Sequence, residues 1–215
     1  IEALAREAAF VLVPEPSFEA PGTVITARKG VCHFTLTAHG RSSHAGGSLT
    51  EGRNAIREIA RHTLEIEALT ELEPNATFNV GLISGGLRNN VVPDFCRIEV
   101  DMRALDTATA ERMVKAMLAR KAYGPDIRLE VDGRINRPPF ERTAGVARLY
   151  DAACALAGKL SLPIDETHRG GASDGNYVAA LGVPVLDGLG GIGAGAHALH
   201  EHILFSTIAP RAALM

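Results

Sequence analysis

Val31-Cys32-His33-Phe34-Thr35-Leu36-Thr37-Ala38-His39 places an apolar residue at every second position, the period of a strand with one buried face. Outward from it, a Gly/Ser/His loop runs from Gly40 to Ser48. Asn54 to Leu69 then reads as a helix with Ala55, Ile56, Ile59, Ala60, Leu64 and Leu69 on one side. Ala76–Ile83 reads as a strand, Ser84–Asn90 as a glycine-rich turn and Phe95–Arg103 as a second strand. Thr107 is placed to cap a helix running through Met113, Met117 and Leu118, and Ile127–Val131 reads as a further strand. The order β-α-β-β-α-β predicts a ferredoxin-like α+β sandwich.

The flanks follow another pattern. Phe10-Val11-Leu12-Val13 is a short wholly apolar run, as in buried parallel strands. Val24–Lys29 alternates like the strand that follows it and is joined to it at Gly30. After Phe140 come a helix near Ala144–Ala157, an extended stretch Leu162–Thr167, a helix Asn176–Leu181 and a buried strand Val183–Leu186. Strands alternating with helices predict an α/β layer. The expected organisation is an α/β domain formed by residues 1–19 and 141–215, with residues 20–140 inserted as an α+β domain. The chain opens within a helical pattern at Ile1 and stops at Met215 as another begins, so a piece of a longer protein is expected.

Composition excludes several classes. Among 215 residues, 46 % are hydrophobic, 22 % are charged and the net charge is −3. Disorder demands fewer apolar residues, and nucleic-acid binding normally brings a basic excess. No apolar run approaches the roughly 18–20 residues of a membrane helix. Cys32, Cys96 and Cys154 lie far apart in apolar stretches, which reads as small core residues and favours a reducing compartment such as the cytoplasm.

Several residues carry chemistry. Glu15, between Pro14 and Pro16 at the end of an apolar strand, is a carboxylate on a stiff strand tip. His197, His200, Glu201 and His202 crowd one loop after a glycine run, and imidazole and carboxylate are zinc ligands. His44, amid small residues, is free to stabilise an oxyanion or to move a proton. Arg103 shares a strand face with Arg97, Glu99 and Asp101, where it either binds a substrate carboxylate or pairs with Asp101 or Asp106. Asn90 follows Gly85-Gly86 as a turn residue with an amide donor. Gly171-Ala172-Ser173-Asp174-Gly175 fits the nucleophile-elbow pattern, with Asp187 and His197 following in triad order. The polar run Asp165–Arg169 before it argues against a serine hydrolase, because the elbow follows an apolar strand.

In this order, Leu12–Pro16, Lys29-Gly30, Gly40–Gly46, Asn90–Pro93, Asp101–Arg103, Gly170–Asp174 and His197–Glu201 resemble the di-zinc amidohydrolase family of glutamate carboxypeptidase, aminoacylase, acetylornithine deacetylase and succinyl-diaminopimelate desuccinylase. The resemblance implies that Glu15 and His197 are terminal ligands of two different zinc ions, with His200 the alternative to His197. It implies that His44 reaches into a partner's site to steady the oxyanion, and that Asn90 and Arg103 hold the substrate's carbonyl and carboxylate. Gly171 and Ser173 would line the same pocket. The inserted domain would be a lid that forms a homodimer, and the substrate a small peptide or N-acyl amino acid with a free carboxylate. The family's first histidine ligand, bridging aspartate and glutamate pair precede the position of Glu15. What is expected here is therefore the C-terminal half of such an enzyme, inactive and largely metal-free by itself. A non-catalytic dimerisation module is the reading of a different class.

Overall fold

The structure is a computed structural model that describes residues 1–17 and 22–215. Along the chain lie α1 (Glu2–Ala5), β1 (Val11–Leu12), β2 (Val24–Arg28), β3 (Gly30–His39), α2 (Ala55–Leu72), β4 (Ala76–Gly85), β5 (Phe95–Ala104), α3 (Thr107–Leu118) and β6 (Arg128–Arg137). Then follow α4 (Ala144–Lys159), β7 (Glu166–Arg169), α5 (Gly175–Ala179), β8 (Val185–Leu186), β9 (Gly193–Ala194), β10 (His202–Ile203) and α6 (Ile208–Leu214). Two compact units result, one of Ile1–Gly30 with Arg137–Met215 and one of Val31–Asn136. The chain is thus mixed α and β. The expected boundary between residues 19 and 20 lies outside the described residues, while the contacts divide the chain at Gly30 and Arg137.

In the unit Val31–Asn136 the sheet order is β4-β5-β3-β6. β4 and β5 are antiparallel, from Ala76 opposite Ala104 to Gly85 opposite Cys96, with a register shift between Val80 and Leu82. Alternation sorts the two faces. Cys32, Phe34, Leu36 and Ala38 of β3 and Cys96, Ile98, Val100 and Met102 of β5 form one core with Ala55, Ile59 and Ile66 of α2 and Met113 and Met117 of α3. Truncating Ile59 or Ile66 to alanine in such a core costs about 2–5 kcal/mol.

The helices differ in detail from their sequence pattern. α2 buries Ala55, Glu58, Ile59, His62 and Ile66, the 3–4 spacing of a helix face. Ile56 and Leu64, expected inside, are exposed. Of the two buried polar residues, Glu58 is hydrogen-bonded. Glu58 accepts from the Tyr123 and Gly124 N–H groups at 2.6 and 3.0 Å, and its Oε1 lies 3.3 Å from His62 Nε2. The cap of α3 is Asp106 rather than Thr107, its carboxylate accepting from Thr109 N–H at 2.7 Å. A carboxylate at the helix's positive end favours aspartate there.

In the other unit, β1 runs parallel to β8 and β2 parallel to β7, while β9 and β10 are antiparallel. β2 corrects the sequence reading: all five of its residues are buried, so it is not a half-buried alternating strand. It is covered on one side by α4, and Ile25 exchanges both main-chain hydrogen bonds with Asp187. That pairing is why β2 belongs with the flanks instead of the insertion. Val24, Leu186, Leu189 and Leu214 form one core cluster, and Phe140, Val146, Val178 and Val185 another. Cys154, expected in a core, is half-buried, whereas Cys32 and Cys96 are buried.

Candidate functional site

The His44 segment is a loop closed at its neck. Arg41 and Arg53 exchange main-chain hydrogen bonds of 3.0 and 2.9 Å. Gly40 sits where a Cβ would run into the Arg53 carbonyl, so only glycine permits this closure. The Arg53 guanidinium then braces the loop from within. Its Nη1 donates to the carbonyls of Thr50, Glu51 and Gly52, and Nε and Nη2 donate to Asp126 at 3.2 and 3.0 Å.

That loop lies beside the turn bearing Asn90. Ala45 N–H donates to the Asn90 carbonyl at 3.0 Å, and Val92 N–H donates to the Ser43 carbonyl at 2.9 Å. His44 and Asn90, 46 positions apart in sequence, therefore sit on two hydrogen-bonded segments. The exposed His44 ring accepts from the Gly46 and Gly47 N–H groups through Nδ1 at 3.1 and 3.0 Å.

Arg103 lies elsewhere, on the polar face of β5. Its Nε and Nη2 donate to the two Asp101 oxygens at 2.6 and 2.9 Å. His33 Nε2 is 3.6 Å from Asp101 on the same side. The ion pair that the sequence offered as an alternative is therefore present, and the guanidinium is oriented by it. Burial, with the Asp101 charge adding to it, pushes the neighbouring Cys32 thiol up to about 11.

In the unit containing both termini, Glu15 is exposed at the end of the segment that follows β1. Its carbonyl accepts from Gly190 N–H at 2.9 Å, and Ser17 accepts from Gly193 N–H at 2.8 Å. A Cβ at Gly190 would stand 2.6 Å from the Pro14 carbonyl oxygen, so the approach requires glycine. The histidine loop connects β9 to β10 just beyond. His197 adopts φ +64°, and its N–H donates to Glu201 Oε2 at 3.3 Å. Thus Glu15 is laid beside the strand leading into the histidine loop at main-chain level. Among the described residues no three His, Cys, Asp or Glu side chains gather as metal ligands. One carboxylate and one imidazole fall short of the three protein ligands of a catalytic zinc. The described residues of this chain do not by themselves complete a metal centre.

Ser173 is buried, and its hydroxyl is committed. Oγ donates to Asp187 Oδ2 at 2.5 Å and accepts from Gly175 N–H at 3.1 Å. Asp187 is fully buried and also accepts from Arg28 Nε and Nη2 at 2.7 and 2.9 Å and from Gly188 N–H. Arg28 Nη1 donates to the Gly171 carbonyl at 3.0 Å. A triad serine needs an imidazole acceptor; this one donates to a carboxylate. Gly171 and Ser173 are brought together, but by a buried network that shapes their loop. Arg28 is the residue that sequence reasoning missed, and Asp187, read from sequence only as a triad position, is its buried partner. The signal was a charged residue closing each of two apolar strands, Val24–Arg28 and Val183–Asp187.

Residues 26–122 match the family model described as Peptidase dimerisation domain. The chain is 27 % identical over 203 residues to carboxypeptidase G2 of Pseudomonas sp. (strain RS-16), covering 92 % of this chain and 48 % of that protein. It is 28 % identical over 217 residues to the succinyl-diaminopimelate desuccinylase of Marinobacter nauticus, covering 94 % and 54 %. Its fold is similar to that of aminopeptidase PepT from Bacillus cereus, with a TM-score of 0.81 and 23 % identity, over 96 % of this chain and 55 % of that one. The chain thus spans about half the length of the relatives it matches. With a dimerisation-domain match at its centre and such relatives along nearly its whole length, the chain is similar to the peptidases and amidohydrolases that its motifs resemble.

Proposed function

We propose that the protein containing this chain hydrolyses an amide bond next to a free carboxylate, as a glutamate carboxypeptidase-like enzyme. Deacylation of an N-acyl amino acid is the nearest variant of the same chemistry. The observation that carries the reading is the hydrogen-bonded pairing of the His44 loop with the Asn90 turn. An imidazole and a primary amide on adjoining braced segments suit the binding of a carbonyl oxygen that gains charge. Arg103, oriented by Asp101, suits a carboxylate.

Zinc belongs to the proposal for the whole protein. This chain would contribute at most Glu15 and His197 to it, and by itself it would be inactive. The unit Val31–Asn136 is read as a ferredoxin-like lid, which its element order and the sheet order β4-β5-β3-β6 support. Homodimerisation through this unit is supported by the dimerisation-domain match and by β4, an edge strand with Leu82 and Ile83 exposed. The fate of Ser173 Oγ removes support from the serine-hydrolase alternative.

The test is an assay of the intact protein on dipeptides and N-acyl amino acids, each with a free or an amidated carboxylate. Turnover of the free acids that a metal chelator abolishes is expected. Turnover insensitive to the chelator but blocked by a serine-trapping reagent would overturn the proposal. A stable dimer without any turnover would favour a purely structural module.

A further inference from the structure

We infer that the Gly46 and Gly47 main-chain amides fix the His44 proton on Nε2, so that His44 presents a hydrogen-bond donor and is barred from acting as a base there. The inference rests on the proposed place of His44 in the site and narrows it, since a histidine at such a position otherwise serves either role.

The argument turns on the sign of two hydrogen bonds. Gly46 N–H and Gly47 N–H both point at Nδ1, at 3.1 and 3.0 Å. A main-chain amide nitrogen only donates, so Nδ1 must offer its lone pair. The neutral ring then carries its proton on Nε2. The ring orientation follows from the same pair, because a flipped ring would turn a carbon toward both amide hydrogens. A bare Nε2, which a base needs, would require the proton on Nδ1, against two N–H groups.

The lock is built into the loop. The His44 carbonyl accepts from Gly47 and Ser48 N–H at 3.3 and 2.9 Å, which folds the chain back so that residues 46 and 47 reach the ring. The Arg41–Arg53 closure and the Arg53 guanidinium, through Thr50 and Gly52, fix the neck of the loop that carries that turn. Open space is not what the glycines provide. A Cβ at Gly46 or Gly47 would stand 3.5 Å from the ring, an ordinary contact. Their amides, rather than their missing side chains, are the positioning groups. A donor set before charge develops costs no reorganisation in the transition state, and proton transfer falls to a different group.

Imidazole ¹⁵N NMR of the intact protein tests the lock directly. A His44 signal with Nδ1 unprotonated and Nε2 protonated is expected; a proton on Nδ1, or an even mixture of tautomers, overturns it. Gly46→Ala and Gly47→Ala, which keep the amides, should leave that signal unchanged. Activity tests the role separately. His44→Gln keeps an N–H near the position of Nε2, whereas His44→Asn reaches only the position of Nδ1. His44→Asn should lose roughly 10²–10³ in kcat, the usual worth of one oxyanion donor, and His44→Gln should recover part of it at unchanged KM. Equal losses in both overturn the donor role. A kcat indifferent to every substitution at His44 would remove the residue from the proposed site while the NMR result still decided the tautomer.

Discussion

Arg103 and Asp101 point the same way from β5, and the guanidinium closes on the carboxylate through Nε and Nη2 at 2.6 and 2.9 Å. Both side chains are about one-third exposed, so the pair adds little to stability. Its effect is to hold one edge of the guanidinium still. Arg103→Ala should therefore barely move Tm. In the intact protein it should raise KM for free-carboxylate substrates roughly tenfold or more, since a charge-assisted hydrogen bond is worth about 1.5–3 kcal/mol. Amidated substrates should be spared. Equal losses on both substrate types, measured by steady-state kinetics, would take Arg103 out of the carboxylate role.

Arg53 is the brace of the His44 loop and touches neither His44 nor Asn90 in the contacts described above. Arg53→Met keeps much of the aliphatic stem and removes the donors to Thr50, Glu51, Gly52 and Asp126. Hydrogen exchange should quicken over residues 41–53, and kcat should fall more than substrate affinity. Unchanged exchange in that segment would show that the main-chain closure suffices.

The Glu58–His62 pair predicts acid sensitivity. Burial holds the His62 imidazole below its ordinary value, the Arg120 charge lowers it further, and Glu58 opposes both. A histidine whose folded value is depressed favours the folded state above the unfolded value of about 6.5. That contribution is lost as pH falls through 6.5 toward the folded value. Denaturant midpoints should therefore drop between pH 7.5 and 5.5, and His62→Gln should flatten the drop. Glu58→Ala should cost about 1.5–3 kcal/mol at neutral pH, because it strands two inward-facing N–H groups.

Ser173→Ala should keep catalytic turnover in the intact protein and lose stability by about 1–3 kcal/mol, the cost of depriving a buried carboxylate of a donor. Asp187→Ala should be far worse, about 3–5 kcal/mol, because it leaves Arg28 charged and buried without its partner. Urea unfolding of both variants checks the ranking. Abolished turnover in a stably folded Ser173→Ala protein would revive the nucleophile.

Cys32 should resist alkylation. Its buried thiol, pushed up to about 11, is almost wholly protonated at pH 7.5, and the thiolate is the reactive form. Burial also raises Cys96. Native protein treated with a maleimide should label chiefly at half-buried Cys154, with the other two reacting only on unfolding. Rapid native labelling of Cys32 would contradict the packing of β3.

The inserted unit was legible because period-2 and period-3.6 patterns are written in its apolar residues, and its sheet face at Cys96, Ile98 and Val100 is where alternation puts it. What escaped was chemistry hidden by polarity. Glu58 and His62 look like solvent residues, so the inward face of α2 was drawn through Ile56 and Leu64 instead. β2 misled for a related reason. Thr26 and Arg28 mimic an exposed alternate set, yet Thr26 bonds Glu166 and Arg28 bonds Asp187, which makes their burial tolerable. At the candidate site, local sequence marked Glu15, His44, Asn90 and Arg103 as residues of interest. It did not show that the His44 and Asn90 loops are hydrogen-bonded to each other, because such pairing depends on separations that no short motif encodes.

Arg28 and Phe140 exchange both main-chain hydrogen bonds, at 2.8 and 3.0 Å, where the chain leaves the host unit and where it returns. The departure and return strands are thus stitched together before the intervening module begins. Evolution, or a protein engineer, could exchange that module for another of different length without disturbing the host's registration, since the seam would close regardless of what it encloses.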